Sequence, residues 1–435
     1  MTIDVSDLGG DGGGRSQRAL VLHPDIRGND LTRDADSALA EALSLAQALP
    51  GIDVIDHRVV RLPRAQPGML FGSGKVAELK ALIEMDEIDL VLVDGPVTPV
   101  QQRNLEKEWG IKLLDRTGLI LEIFADRART REGVLQVELA ALTYQRTRLV
   151  RAWTHLERQR GGLGFVGGPG ETQIEADRRA IDMQVVRLRK QLDKVAKTRE
   201  LHREARRRIP YPVVALVGYT NAGKSTLFNR LTGAEVMAKD MLFATLDPTM
   251  RAITLPGGLH VILSDTVGFI SDLPTQLVAA FRATLEEVLE ADLILHVRDI
   301  AHAETEAQAQ DVETILTDLG VHADLPRIDV WNKIDLLPND DPMLTIAERR
   351  EAVVAASALT GEGLEPLVDA IGVALGESRS IDTIKIGHEQ GRARAWAYEE
   401  GIVQAEAPSE DGISLTVSWS PRQRRRFESM LIDPN

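Results

Sequence analysis

At 435 residues, 43% of them hydrophobic and 27% charged, the chain has material for about three domains with ordinary cores. Its net charge of −15 argues against a protein that coats nucleic acid over its whole surface, and the absence of cysteine excludes disulfides and thiolate metal sites. No run of eighteen apolar residues occurs, so no membrane span is expected; a cytoplasmic monomer is the expectation, with peripheral attachment at a membrane as the alternative location.

Residues 1–17 are acidic and glycine-rich, without the basic-then-apolar layout of a secretory signal, and read as a flexible tail. Residues 18–125 read as a small α/β unit. Its strands are expected over 18–22, 53–61 and 90–93, and its helices over 34–48 and 75–85. Gly72-Ser73-Gly74-Lys75 superficially looks like a phosphate loop but lacks the spacing of the first glycine, and reads as a helix start.

Residues 126–209 carry twenty Lys/Arg against eleven Asp/Glu, a local +9 that leaves −24 for the rest of the chain. Leu135, Leu139, Leu142 and Leu149 recur at helical spacing, as do Ile174, Ile181, Val185, Leu188, Leu192 and Val195. Thr172 with Glu175 marks the second helix's start. Two helices in a hairpin are expected, joined by the uncharged linker 161–170, six of whose ten residues are glycine. Phe165 at such a tip could stack on an unpaired base, and Arg158, Arg160, Arg178 and Arg179 could meet phosphates. A passive loop is the competing reading.

Pro210 and Pro212 bracket a hinge into a further domain expected over 211–378. The buried-strand run Val213–Val217 precedes Gly218-Tyr219-Thr220-Asn221-Ala222-Gly223-Lys224-Ser225, a complete G-x-x-x-x-G-K-[ST] loop, and a helix follows. Backbone N–H groups of such a loop converge on phosphates. Lys224 would reach the β- and γ-phosphates, and the Ser225 hydroxyl would join Mg²⁺. Phe243-Ala244-Thr245-Leu246-Asp247 offers Thr245 as a second hydroxyl on Mg²⁺, with Thr249 as the competitor. In Asp265-Thr266-Val267-Gly268, Asp265 would hold Mg²⁺ through water and the Gly268 N–H would face the γ-phosphate. Lys224, Thr245 and Gly268 are therefore the expected catalytic residues. The next position, where many GTPases keep a water-orienting Gln, is Phe269, and slow intrinsic hydrolysis follows.

Asn332-Lys333-Ile334-Asp335 follows another strand and suits guanine. The Asp335 carboxylate can accept from ring N1–H and the 2-amino group, which adenine does not offer there. Ser357-Ala358 would close over O6 with a backbone N–H, and Leu359 beside them is counted in the GTP site. Asn221 occupies a loop position where a K⁺ ion could sit beside the phosphates; bracing of its own loop is the alternative. Residues 380–435 read as a short α+β tail domain, with strand-like 393–397 and 413–419 and a basic cluster Arg422, Arg424, Arg425 and Arg426.

The string from Gly167 to Arg179 (GGPGETQIEADRR), upstream of this nucleotide domain, resembles the HflX family of translational GTPases. Phe71–Lys75, Gln101–Glu106, Asp115–Phe124, Arg127–Gly133, Phe243–Thr249 and Asp265–Phe269 are similar to further segments of that family, so the resemblance runs over about 18–378. It implies binding of GTP and GDP, association with the large ribosomal subunit and its RNA, a tip directed toward the peptidyl-transferase region, and splitting or rescue of stalled ribosomes. Where the family commonly has Arg before Gly-Pro-Gly, this chain has Val166-Gly167-Gly168 with one extra residue. A nucleotide-gated assembly or anti-association factor is the alternative function. The fold class expected is α/β: a mostly parallel P-loop GTPase sheet with helices on both faces, preceded by the small α/β domain and the hairpin, and followed by the tail domain.

Overall fold

The computed structural model describes residues 16–27, 34–159, 169–207, 211–234, 242, 243, 246, 248–256, 258–271, 287–322, 324–338, 340–377, 380–387, 390–409, 412–419 and 421–432. The chain divides into two compact units. The first comprises 1–194 with 240–246 and 272–281; the second comprises 195–239, 247–271 and 282–435.

In the first unit β1 (Gln17–Ile26), β2 (Ile52–Leu62), β3 (Leu90–Val93) and β4 (Lys112–Asp115) form a wholly parallel sheet in the order β2-β1-β3-β4. Helices α1 (Ala35–Gln47), α2 (Ser73–Met85), α3 (Pro99–Trp109) and α4 (Arg116–Arg127) alternate with these strands. Leu20, Leu22, Val91 and Val93 from the sheet pack with Leu79, Leu82, Leu105 and Trp109 from the helices. The sequence reading left α3, β4 and α4 unassigned, although α3 carries a full start signal. Thr98 and Gln101 form a reciprocal capping box and Pro99 stands at the first turn, where no N–H is needed. Two long helices follow, α5 (Arg131–Gln159) and α6 (Pro169–Arg207), tied by an Arg146–Asp182 ion pair at 2.8 Å. The second starts at Pro169, ahead of the expected Thr172, because Pro is tolerated in a first turn. The tip residues 160–168, Arg160 and Phe165 among them, lie outside the described residues, as does the Arg158 side chain.

In the second unit a six-stranded sheet runs β10-β9-β8-β5-β7-β6. Its strands are β5 (Val213–Gly218), β6 (Thr249–Thr254), β7 (His260–Asp265), β8 (Leu293–Asp299), β9 (Arg327–Asn332) and β10 (Val353–Ala355). Every pairing is parallel except β6 with β7. Helices α7 (Lys224–Thr232), α8 (Thr305–Asp318), α9 (Pro342–Arg349) and α10 (Leu364–Glu377) complete the layer architecture. Val214 and Leu216 of central β5 pack with Leu227, Phe228, Leu263 and Leu295. The carboxyl ends of β5, β7 and β9 deliver the phosphate loop, Asp265 and Asn332, the edge where open parallel sheets bind ligands.

The C-terminal part has an antiparallel sheet β11-β13-β12, from β11 (Ser380–Gly387), β12 (Val403–Ser409) and β13 (Gly412–Trp419), with α11 (Gly391–Glu399) and α12 (Pro421–Ile432). This corrects the strand expected at 393–397. Ala393, Trp396 and Ala397 lie at i, i+3 and i+4 and bury one face of α11 together. Of the basic cluster, Arg424 is described and pairs with Glu428 and Asp382; the side chains of Arg422, Arg425 and Arg426 lie outside the described residues.

Candidate nucleotide site

The phosphate loop grows out of a fully buried strand, so its start is fixed by the sheet. Lys224, only 6% exposed, donates from Nζ to the carbonyls of Gly218 (3.1 Å) and Tyr219 (2.7 Å). Burial lowers its pKa to about 8, against the opposing pull of Asp265. The Ser225 hydroxyl donates to Asp265 Oδ2 at 2.7 Å, and Thr266 anchors the same segment by donating to Leu216 O at 2.6 Å. Asp265 and Ser225 thus bring carboxylate and hydroxyl oxygens together, a donor set that suits a hard cation such as Mg²⁺.

Two glycines are required by close approach. Gly223 sits at φ +93°, and a Cβ there would lie 2.2 Å from Asn332 Nδ2. A Cβ on Gly268 would come 2.9 Å from Thr220 Cγ2 and 3.0 Å from Lys224 Nζ. Asn332 uses the space left by Gly223. Its Nδ2 donates to Ala222 O at 2.7 Å and its Oδ1 accepts from Ala358 N at 2.9 Å, joining the phosphate loop to the 357–359 loop.

Asp335 Oδ1 accepts from the Ser357 hydroxyl at 2.5 Å, and Lys333 Nζ pairs with Asp299 at 2.7 Å. The Ser357 N–H donates to Glu362 O at 2.8 Å and the Ala358 N–H to Asn332 Oδ1 at 2.9 Å. The Leu359 N–H has no hydrogen bond among the described residues, and the Leu359 side chain is 72% exposed.

The segment expected to bring Thr245 is described only in part. Phe243 and Leu246 bury their side chains, and Phe243 stands edge-on to Phe124 at 4.6 Å within the first unit, a packing the sequence reading missed. Ala244, Thr245 and Asp247 lie outside the described residues. Val267 is buried beside Gly268, and Ile334 starts the short turn that carries Asp335. Thr249 opens β6. Asn221 is exposed at φ +59°, and its side chain makes no hydrogen bond among the described residues.

Sequence reasoning also missed what Tyr219 and Phe269 do. The Tyr219 hydroxyl accepts from Ser271 N at 2.7 Å, Phe269 N donates to Gly218 O at 3.1 Å, and Thr220 N donates to Phe269 O at 2.7 Å. These are variable positions of the loop pattern, so spacing alone carries no signal for them.

A parallel sheet with this loop, this carboxylate and this N-K-x-D turn at its carboxyl edge defines a P-loop GTPase. Comparisons agree in detail. Residues 36–125 match the family described as "GTP-binding GTPase N-terminal" and 127–206 "GTP-binding GTPase Middle Region". Residues 213–333 match "50S ribosome-binding GTPase" and 342–432 "HflX C-terminal domain". The chain is 51% identical to the GTPase HflX of Magnetococcus marinus, covering 92% of each. It is 42% identical to that of Escherichia coli K12, covering 92% of this chain and 95% of that one. Among solved structures it is similar to the crystal structure of SsGBP with GDP, at 26% identity and TM-score 0.48 over 83% of this chain and 99% of that one. The chain belongs to the HflX family and is a GTPase. No helix among the described residues is long and apolar enough to cross a membrane.

Proposed function

We propose that this GTPase associates with the large ribosomal subunit and its RNA, and uses GTP to split or rescue stalled ribosomes. The observation that carries the reading is the match of 213–333 to a family described as 50S ribosome-binding, on a chain whose +9 segment folds as two long helices. Arg158, Arg160, Phe165, Arg178 and Arg179 are the proposed RNA contacts; Arg178 and Arg179 stand exposed on α6.

At the nucleotide, Lys224 grips the β- and γ-phosphates, the Gly268 N–H meets the γ-phosphate, and loop amides from Gly218 to Ser225 line the rest. Ser225 and Thr245 are the proposed protein ligands of Mg²⁺, with Asp265 acting through water; an ion held there would supply positive charge beside the transferring phosphoryl group. Asp335 accepts from guanine N1–H and its 2-amino group, Lys333 lies along the base, and a backbone N–H of the Ser357-Ala358 turn meets O6. Asn221, whose side chain makes no hydrogen bond among the described residues, is the proposed ligand of a K⁺ ion beside the phosphates. Hydrolysis is then faster in K⁺ than in Na⁺ at equal ionic strength, and Asn221→Ala abolishes the difference; equal rates in both salts dispose of the ion.

Sucrose-gradient profiles of intact ribosomes incubated with the protein and GTP, against GDP, test the ribosomal role. Loss of intact ribosomes with GTP supports splitting. Unchanged profiles in both nucleotides refute it, and binding confined to immature large subunits moves the role to assembly.

A further inference from the structure

The residue after Gly268 is the usual source of a side chain that orients the attacking water, and here it is held away from that task. Phe269 is 2% exposed, pairs with Tyr219 as an extra parallel bridge, and has both its N–H and its carbonyl bonded to the phosphate loop. The Ser271 N–H is fixed on the Tyr219 hydroxyl as well. A swing of residue 269 toward the phosphates would break this set.

Thr220 stands where that side chain is missing. Its Cγ2 and Cα lie 2.9 and 3.0 Å from the point where a Cβ on Gly268 would be, and Lys224 Nζ lies 3.0 Å from the same point. Thr220 therefore flanks both groups that face the terminal phosphate. Its residue is 6% exposed, yet its Oγ1 is buried with no hydrogen-bond partner among the described residues. A buried hydroxyl left unpaired carries an uncompensated desolvation cost, which a bound water would relieve. Rotation about χ1 exchanges Oγ1 for the methyl group beside Gly268, and no hydrogen bond is lost in doing so.

The geometry points to Thr220 as a further catalytic residue, whose hydroxyl accepts from the attacking water and holds it in line with the γ-phosphorus. The hydroxyl is a neutral orienting group, not a base. As the water oxygen bonds to phosphorus, the bond to the β–γ bridging oxygen breaks, GDP leaves with that electron pair, and the water proton ends on the released phosphate.

Single-turnover GTP hydrolysis by the full chain, with affinity for a fluorescent GDP analogue measured alongside, tests this. Thr220→Val keeps the shape and removes the hydroxyl. It is expected to slow hydrolysis at saturating GTP at least about tenfold while nucleotide affinity and KM stay within about threefold. Thr220→Ser, which restores a hydroxyl, is expected to recover most of the lost rate. Wild-type hydrolysis in Thr220→Val overturns the proposal, as does a serine variant as slow as the valine one, because packing would then be the cause. Should Thr220→Val fail to bind GDP, Thr220→Ser against Thr220→Ala at saturating GTP decides in the same way.

Discussion

Lys224 is an ammonium group enclosed by carbonyls, with its pKa brought down to about 8 by burial from an ordinary 10.5. Bound phosphates would favour its charged form and lift that value again. Above pH 8 the free protein has largely lost the proton that the complex keeps, so nucleotide binding takes up a proton there. GDP affinity should therefore hold steady near pH 7 and fall above pH 8, by at most about tenfold per unit, the limit for one coupled proton. Competition against a fluorescent nucleotide from pH 7 to 9.5 checks this. A flat profile would mean that Lys224 stays charged without ligand.

Elements β4 and α4 meet at Asp115, whose carboxylate accepts from Gly118 N at 2.8 Å and so caps α4. The same carboxylate accepts from the Tyr144 hydroxyl at 2.5 Å and from Arg148 Nη1 at 2.8 Å, which roots α5 in the sheet domain. Arg148 also bonds Gln102 and Tyr144. Burial raises the Asp115 pKa despite the attraction of Arg148, so the node depends on all its partners being present. Asp115→Ala removes a cap and takes one acceptor from the half-buried Tyr144 hydroxyl and Arg148 guanidinium, and should destabilise by about 2 kcal/mol in urea unfolding. Pairing it with Tyr144→Phe in a double-mutant cycle should give a clear coupling energy; simple additivity would show that the node is not cooperative. The sequence offered no view of this node, because its members lie 29 and 33 residues apart and their meeting depends on how α5 packs. The phosphate loop, Asp265 and the N-K-x-D turn were legible because each is a local pattern after an apolar strand. The 393–397 segment misled because a short apolar run can be strand or helix, and only its partner face decides.

Across the whole molecule the charge is segregated, with +9 on 126–209 and −24 elsewhere, so the proposed RNA contact is confined to one region. Shortening 161–170 to a tight turn should leave GTP binding and basal hydrolysis intact while ribosome-stimulated turnover drops. Unchanged stimulation would leave the tip a passive connector. The division into two units carries one more consequence. The boundary is crossed at 194, 239, 246, 271 and 281, so each unit is drawn from three separate stretches of sequence. Neither can be cut out as a continuous stretch of gene. A fragment spanning only 211–378 would keep Phe243 and lose its ring partner Phe124. A stability measured on such a fragment is therefore not the stability of the full chain.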